Sequence, residues 1–243
     1  MTNYVLAMKW GSKYPALFVN RLLTMLEKNL RLPFEMVCLT DDFRGINSAV
    51  RCLPLPSLDL PAGLPERGWL KLTAFGPLPL EGTALFLDLD LVILRNIDHF
   101  FSYHREERDK LYIIKDFKHR RRITGNSSVY RFQLNAYPEL LADFRANFPA
   151  IRRKFRNEQA FLSHWLHERQ LLRYWPEGWC RSYKYHCLAP PPLDHFIAPR
   201  KPDCDILIFH GEINPDQAIT GGGGKWYRHV KPAPWLADYW GQP

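Results

Sequence analysis

Two carboxylates inside an apolar run constrain this chain more than any other feature. The run is Ala84-Leu85-Phe86-Leu87-Asp88-Leu89-Asp90-Leu91-Val92-Ile93-Leu94. Its apolar content reads as one buried strand. An ionised carboxylate in such surroundings costs several kcal/mol unless something pairs with it. Residues at i and i+2 of an extended chain share a face, so Asp88 and Asp90 would stand side by side. A hard divalent cation, which takes oxygen ligands, satisfies such a pair most simply. The sequence therefore predicts a strand that ends in a metal site.

The chain before the pair supplies a scaffold for it. Residues 4–8 form a short apolar strand, Lys9-Trp10-Gly11-Ser12 a loop, and Pro15 suits the first turn of a helix. Phe18, Leu22, Met25, Leu26 and Leu30 recur at helical spacing until Pro33 stops the helix. Residues 34–39 read as a second strand, ending in Thr40-Asp41-Asp42. Strand–helix–strand is the form of a βαβ unit. Ligands of open α/β sheets sit at the carboxyl ends of the strands, which puts Met8, Lys9, Thr40, Asp41 and Asp88 on one rim.

Prolines 54, 56, 61 and 65 mark a surface loop, and residues 67–75 a short helix leading to the central run. Strands follow at 110–116 and 126–132, with the basic loop Phe117-Lys118-His119-Arg120-Arg121-Arg122 between them. Helical patterns cover 138–148 and 158–172, separated by Arg152-Arg153-Lys154 and Arg156. Residues 174–202, rich in Pro, Trp and Tyr, read as irregular, and 205–209 as a last strand ending at His210-Gly211. The glycines 221–224 then precede Lys225-Trp226. No repeat or linker divides the chain. A single domain over residues 1–243 is expected.

No apolar run approaches the roughly 18 residues of a membrane span. The first residues lack the charged region and cleavage site of a signal peptide. Five scattered cysteines suggest free thiols in a reducing cytoplasm. A net charge of +8 favours anionic partners. The charge does not interleave with aromatics as a base-stacking platform would, so no nucleic acid is expected.

Residues 85–101, LFLDLDLVILRNIDHFF, resemble the metal-binding segment of GT-A glycosyltransferases. They are most similar to family 8, the group of glycogenin and the bacterial lipopolysaccharide galactosyltransferases. That family has a strand ending in Asp-x-Asp, an apolar run, then Asn-Ile-Asp-x-Leu/Phe-Phe. Asp88, Asp90, Asn96, Ile97, Asp98 and Phe100 fall on this pattern. Lys71 resembles the family's lysine near the sugar, and Asn126-Ser127-Ser128-Val129 its Asn-Ser-Gly-Val segment beside the donor sugar. Glu158-Gln159 resembles its Asp-Gln pair at a helix start, and His210 its histidine metal ligand. The motifs keep their order over about residues 4–215. Ser128 replaces the usual Gly, and Glu158 the commoner Asp. No lysine follows His210 at the family's spacing; Lys225 is the candidate substitute.

The resemblance implies an α/β fold of the GT-A, nucleotide-diphospho-sugar transferase type, a Rossmann-type mixed sheet flanked by helices, with 1–100 the nucleotide-binding half and 101–243 the acceptor and sugar half with a C-terminal loop. It implies sugar transfer from a nucleotide-diphospho-sugar, UDP-linked by resemblance, to a glycan or glycolipid acceptor with retention. Mn2+ or Mg2+ would be held by Asp88, Asp90 and His210. Lys71, Asp88, Leu89, Asn126, Ser127 and Lys225 would join Met8, Lys9, Thr40 and Asp41 in binding substrate. Glu158 and Gln159 would stand beside the reacting carbon. The expected setting is the cytoplasm, with peripheral contact to an anionic inner membrane.

Each residue has an ordinary alternative. His210 would be a core histidine bonded to backbone, Lys71 a solvated lysine, and Asn126 a turn former. Glu158 would be a carboxylate at a helix N-terminus, and the runs 118–122 and 152–156 solvated faces. Asp88-Leu89-Asp90-Leu91-Val92 also nearly fits the Asp-x-Asp-x-Thr/Val motif of haloacid-dehalogenase-like phosphatases, with Asp88 as nucleophile. That alternative needs a later acidic pair for Mg2+, and only Asp203 and Asp205 would serve.

Overall fold

Strand β1 (Thr2–Lys9), helix α1 (Ala16–Asn29) and strand β2 (Glu35–Thr40) form a parallel βαβ unit, with Tyr4 opposite Glu35 and Lys9 opposite Thr40. The computed structural model describes residues 2–60, 68–211, 213–222 and 230–241. Helix α1 follows Pro15 and buries Phe18, Leu22, Met25 and Leu26, a single apolar stripe against the sheet. The edge strand β3 (Arg51–Pro54) pairs with β2. It has no apolar alternation, and its sequence does not announce it.

The central run is two strands rather than one. Strand β4 (Gly82–Leu87) lies parallel to β1. Strand β5 (Leu91–Ile93) leaves that sheet for a smaller one. Asp88-Leu89-Asp90 form the corner between them. From Ala84 to Leu87 and from Leu91 to Ile93 every residue is buried, so apolar residues run up to the corner from both sides. The acids mark it instead, because a carboxylate pair is tolerated at the rim of a sheet and not within it.

The chain after the corner makes the short helix α2 (His99–Ser102) and strands β6 (Leu111–Lys115) and β7 (Gly125–Gln133). Helix α3 (Pro138–Lys154) runs past the expected end at 148 through a kink at Asn147, ahead of Pro149. Helix α4 (Glu158–Glu168) stops short of Leu172, which opens strand β8 (Leu172–Tyr174). Within the segment read as irregular lies strand β9 (Cys180–Ser182), followed by a π-helical turn at Tyr183–Cys187. Strand β10 (Ile206–Ile208) and helix α5 (Pro215–Thr220) complete what positions the site.

The large sheet has the order β3-β2-β1-β4-β7-β6-β8, with β7 antiparallel to both β4 and β6. The small one is β5-β10-β9. Helix α1 and the small sheet cover one face of the large sheet. The 3-10 helix Trp69–Phe75, α3 and α4 cover the other. A register shift on β7 takes Ile113 opposite Tyr130 and Ile114 opposite Asn126, so residues 127–129 bulge at the rim. The Asn96-Ile97-Asp98 segment is a clamp. Asp98 Oδ1 accepts the backbone N–H groups of Arg31 at 2.7 Å and Leu32 at 3.2 Å. The Ile97 N–H donates to the Asn29 carbonyl at 2.9 Å, tying the chain after β5 to the end of α1. All five cysteines are free thiols.

Candidate active site

A cavity of about 390 Å³ opens at the carboxyl ends of β1 and β4, lined by Met8, Trp10, Lys13, Tyr14, Gly68, Lys71, Asp88, Leu89, Asp90 and Glu158. The Lys71 ammonium stands 2.5 Å from Asp88 Oδ1 and donates to Oδ2 at 2.8 Å, gripping both carboxylate oxygens. Gly68 starts the helix that carries Lys71 and sits at φ 86°, a left-handed conformation that glycine adopts freely. Burial works against the Lys71 charge, but Asp88, Glu158 and Asp90 outweigh it and hold its pKa above the ordinary value.

Asp90 is pushed up to about 6, first by burial and then by the neighbouring Asp88 charge. The Tyr14 hydroxyl donates to Asp90 Oδ2 at 2.6 Å. Burial, and then Asp90, push that hydroxyl well above the ordinary tyrosine range. Three carboxylates thus meet two lysines in the cavity, and the site is short of positive charge.

Glu158 opens α4 directly after the N-cap Asn157, whose side chain accepts from the Ala160 N–H at 3.2 Å. Glu158 is only 8% exposed. The Ser127 hydroxyl donates to its Oε1 at 2.8 Å, and the Ser127 N–H to Gln159 Oε1 at 3.4 Å. The bulge on β7 therefore holds the start of α4 against the cavity. Asn126 uses its carboxamide oxygen within its own turn, accepting the Ser128 N–H at 3.1 Å.

The other candidates stand around this centre. The Lys9 ammonium donates to the Asp42 carbonyl at 3.4 Å, the Thr40 hydroxyl to the same carbonyl at 3.1 Å, and Asp41 Oδ2 accepts the Gly11 N–H at 2.9 Å. These three fasten the loops after β1 and β2 beside the cavity without lining it. His210 follows Phe209, whose N–H donates to the Asp90 carbonyl at 3.2 Å. The His210 ring itself turns to Ser182, with Nε2 and Oγ 2.7 Å apart, and stacks on Phe117. Burial lowers its pKa. Among the described residues, no three His, Cys, Asp or Glu side chains are gathered tightly enough to hold a metal. Lys225 lies outside the described residues. The residues not anticipated were Trp10, Lys13, Tyr14 and Gly68. The loop after β1 was the available signal, since strand-end loops form such sites.

No protein-family model and no curated protein matches the sequence. Solved structures do. The galactosyltransferase LgtC, in complex with donor and acceptor sugar analogs, superposes with a TM-score of 0.59 at 11% identity, covering 88% of this chain and 89% of LgtC. Mouse xyloside xylosyltransferase 1 in its apo form gives 0.53 at 14%, covering 87% and 98%. GlyE of Streptococcus pneumoniae TIGR4 gives 0.60 at 14%, covering 88% of this chain and 56% of GlyE. The fold is GT-A. On this GT-A sheet the Asp88–Asp90 corner closes the parallel strand β4, where the main sheet ends and the small one begins.

The phosphatase alternative finds no support in the GT-A fold or in the acids it needs. Asp203 pairs with Arg95, and Asp205 with His99 at 3.1 Å. The Leu94 N–H donates to the Asp205 carbonyl at 2.7 Å, at the end of β5 remote from Asp90. No second acidic pair therefore faces Asp88 from that segment.

Proposed function

We propose that the chain is a metal-dependent glycosyltransferase, moving a sugar from a UDP-linked donor to a glycan or glycolipid acceptor with retention of configuration. The observation that carries this reading is the carboxylate pair at the β4–β5 corner, facing a cavity walled by Lys71 and Glu158. The donor set suits a hard divalent cation: carboxylates outnumber cations in the cavity, and burial, then the Asp88 charge, raises Asp90 to about 6. Asp88 and Asp90 would hold Mn2+ or Mg2+ together with diphosphate oxygens, and His210 would join them on releasing Ser182. The bound ion stabilises negative charge developing on the leaving diphosphate.

The chain's own groups do the rest. Lys71 fixes Asp88 and adds positive charge towards the phosphates. Tyr14 fixes Asp90. Met8, Trp10 and Leu89 offer an apolar wall to the nucleoside, and the loops secured by Lys9, Thr40 and Asp41 receive it. Glu158, oriented by the Ser127 hydroxyl while Gln159 accepts the Ser127 N–H, opposes positive charge building on the anomeric carbon. The bond from that carbon to the diphosphate breaks and one to the acceptor oxygen forms on the same face. The acceptor's proton passes to the leaving phosphate.

No described helix is long and apolar enough to cross a membrane. From the free thiols and the net charge of +8 we propose a cytoplasmic setting, at the periphery of an anionic inner membrane. The test is a panel of UDP- and GDP-sugars assayed for hydrolysis and binding with Mn2+ and with a chelator. Mn2+-dependent turnover of a UDP-sugar is expected. Neither turnover nor binding of any of them would overturn the proposal.

A further inference from the structure

A second, smaller cavity of about 70 Å³ lies where β6 ends against β9, and Lys115, Arg120, Trp175, Glu177, Arg181 and His186 line it. Its two acids are already engaged. Glu177 lies 2.5 Å from Arg120 and 3.8 Å from Arg181. Asp116 Oδ1 accepts the N–H groups of Lys118 at 2.8 Å and His119 at 2.5 Å, closing its own turn. The Lys115 ammonium packs over the Tyr174 ring at 4.1 Å and has no ion-pair partner among the described residues. Lys118, Arg121 and Arg122 extend the same loop, and Lys184 stands on the π-helical turn after β9. Seven cations gather here with two carboxylates, a surplus of five out of the chain's +8.

The cavity opens on the same rim as the carboxylate pair. Strand β6 is separated from β4 by β7 alone, which at ordinary strand spacing places it about 10 Å along the rim. An aromatic wall joins the two regions: Phe117 stacks on His210 and meets His186 edge-on, ring centroids 5.7 Å apart. Aromatic faces suit a sugar ring. A neutral sugar gives no use to a surplus of cations, whereas guanidinium forks match phosphate and carboxylate oxygens.

We propose that this cavity recognises the acceptor and that the acceptor is an acidic saccharide, its phosphate or carboxylate held by Lys115, Arg120 and Arg181. The inference rests on the glycosyltransferase reading for the word acceptor. The test is calorimetry on the full chain with glucose 6-phosphate, glucuronate, glucose and inorganic phosphate, with and without UDP and Mn2+. One of the two acidic sugars binds at least about tenfold tighter than glucose or inorganic phosphate, and which one names the acidic group. The double variant Lys115→Gln, Arg181→Gln loses that preference by about tenfold and keeps Mn2+-dependent UDP binding. Equal affinity for glucose, an unaltered variant, or acidic-sugar binding weaker than about 10 mM overturns the inference. So does a dependence on these residues seen only with phosphatidylglycerol vesicles, which would make the surface a lipid-headgroup site. UDP binding without a sugar preference sinks this inference alone. A sugar preference without UDP binding sinks the donor reading alone.

Discussion

At the β4 corner, three carboxylates and two lysines line one cavity, and the three carboxylates and Lys71 are each held by a named partner. Two strands along the rim, seven cations gather with two carboxylates around the smaller cavity, four of them on an exposed loop. The two regions handle charge by different physics. Buried charges are satisfied one at a time, so removing a partner leaves a deficit of several kcal/mol. Exposed charges act as a field that water and salt screen, so single losses are small and graded. Sharp consequences are expected at the corner and shallow ones at the loop.

The largest effect belongs to Asp90→Ala. It should lower Mn2+-dependent sugar transfer by about a thousandfold or more, roughly 4 kcal/mol of barrier, with an unchanged circular-dichroism spectrum. Next is Lys71→Met. Lys71 and Asp88 expose 15% and 19% of their side chains, so the variant leaves a largely buried carboxylate alone. Denaturant unfolding should show a loss of about 3 kcal/mol, which adding Asp88→Asn largely restores without restoring activity.

Asp90→Asn should do the opposite and stabilise the metal-free protein by about 3 kcal/mol at pH 8. The sign follows from the shift. The native carboxyl, at about 6, lies above its unfolded value of 3.8, so its ionised form costs stability above pH 6. As pH falls from about 6 towards 4 that cost fades, and the gap between wild type and variant should close.

Gly125 stands between the two regions, at the start of β7. A Cβ there would meet the Ile113 side chain at 2.8 Å and the Ile114 carbonyl at 3.0 Å. Gly125→Ala should cost about 1–3 kcal/mol by overpacking, read as a lower melting temperature. Smallest is Arg121→Gln at the loop, within about 0.5 kcal/mol of wild-type stability. A large loss there would break the contrast.

Much of this arrangement is written in the chain. Pro15, the stripe from Phe18 to Leu26 and Pro33 delimit the βαβ unit, because one buried face forces a period. The acids at 88 and 90 stand out as charges where burial is expected, Lys71 and Glu158 through the family resemblance, and the fold brings all four to one cavity. The corner itself is hidden, since β4 from Ala84 onward and all of β5 are buried and periodicity carries no mark of a change of sheet. Leu172 continues the apolar spacing of α4, yet it pairs with Leu111 as a strand. Tyr14 and Lys13 sit in a loop with no pattern, and only tertiary contact shows them at Asp90. Asn96-Ile97-Asp98 has a fold-holding role that no motif states.

On the proposed reading, the Asp88–Asp90 corner binds a nucleotide-sugar through a divalent cation. A thermal-shift titration of UDP-sugars with and without Mn2+, on wild type and on Asp90→Asn, tests it most directly. The melting temperature of wild type should rise when a UDP-sugar and Mn2+ are present together, should stay near its starting value with either alone, and should not respond in Asp90→Asn. No rise with any UDP- or GDP-sugar, or an equal rise in Asp90→Asn, would contradict it.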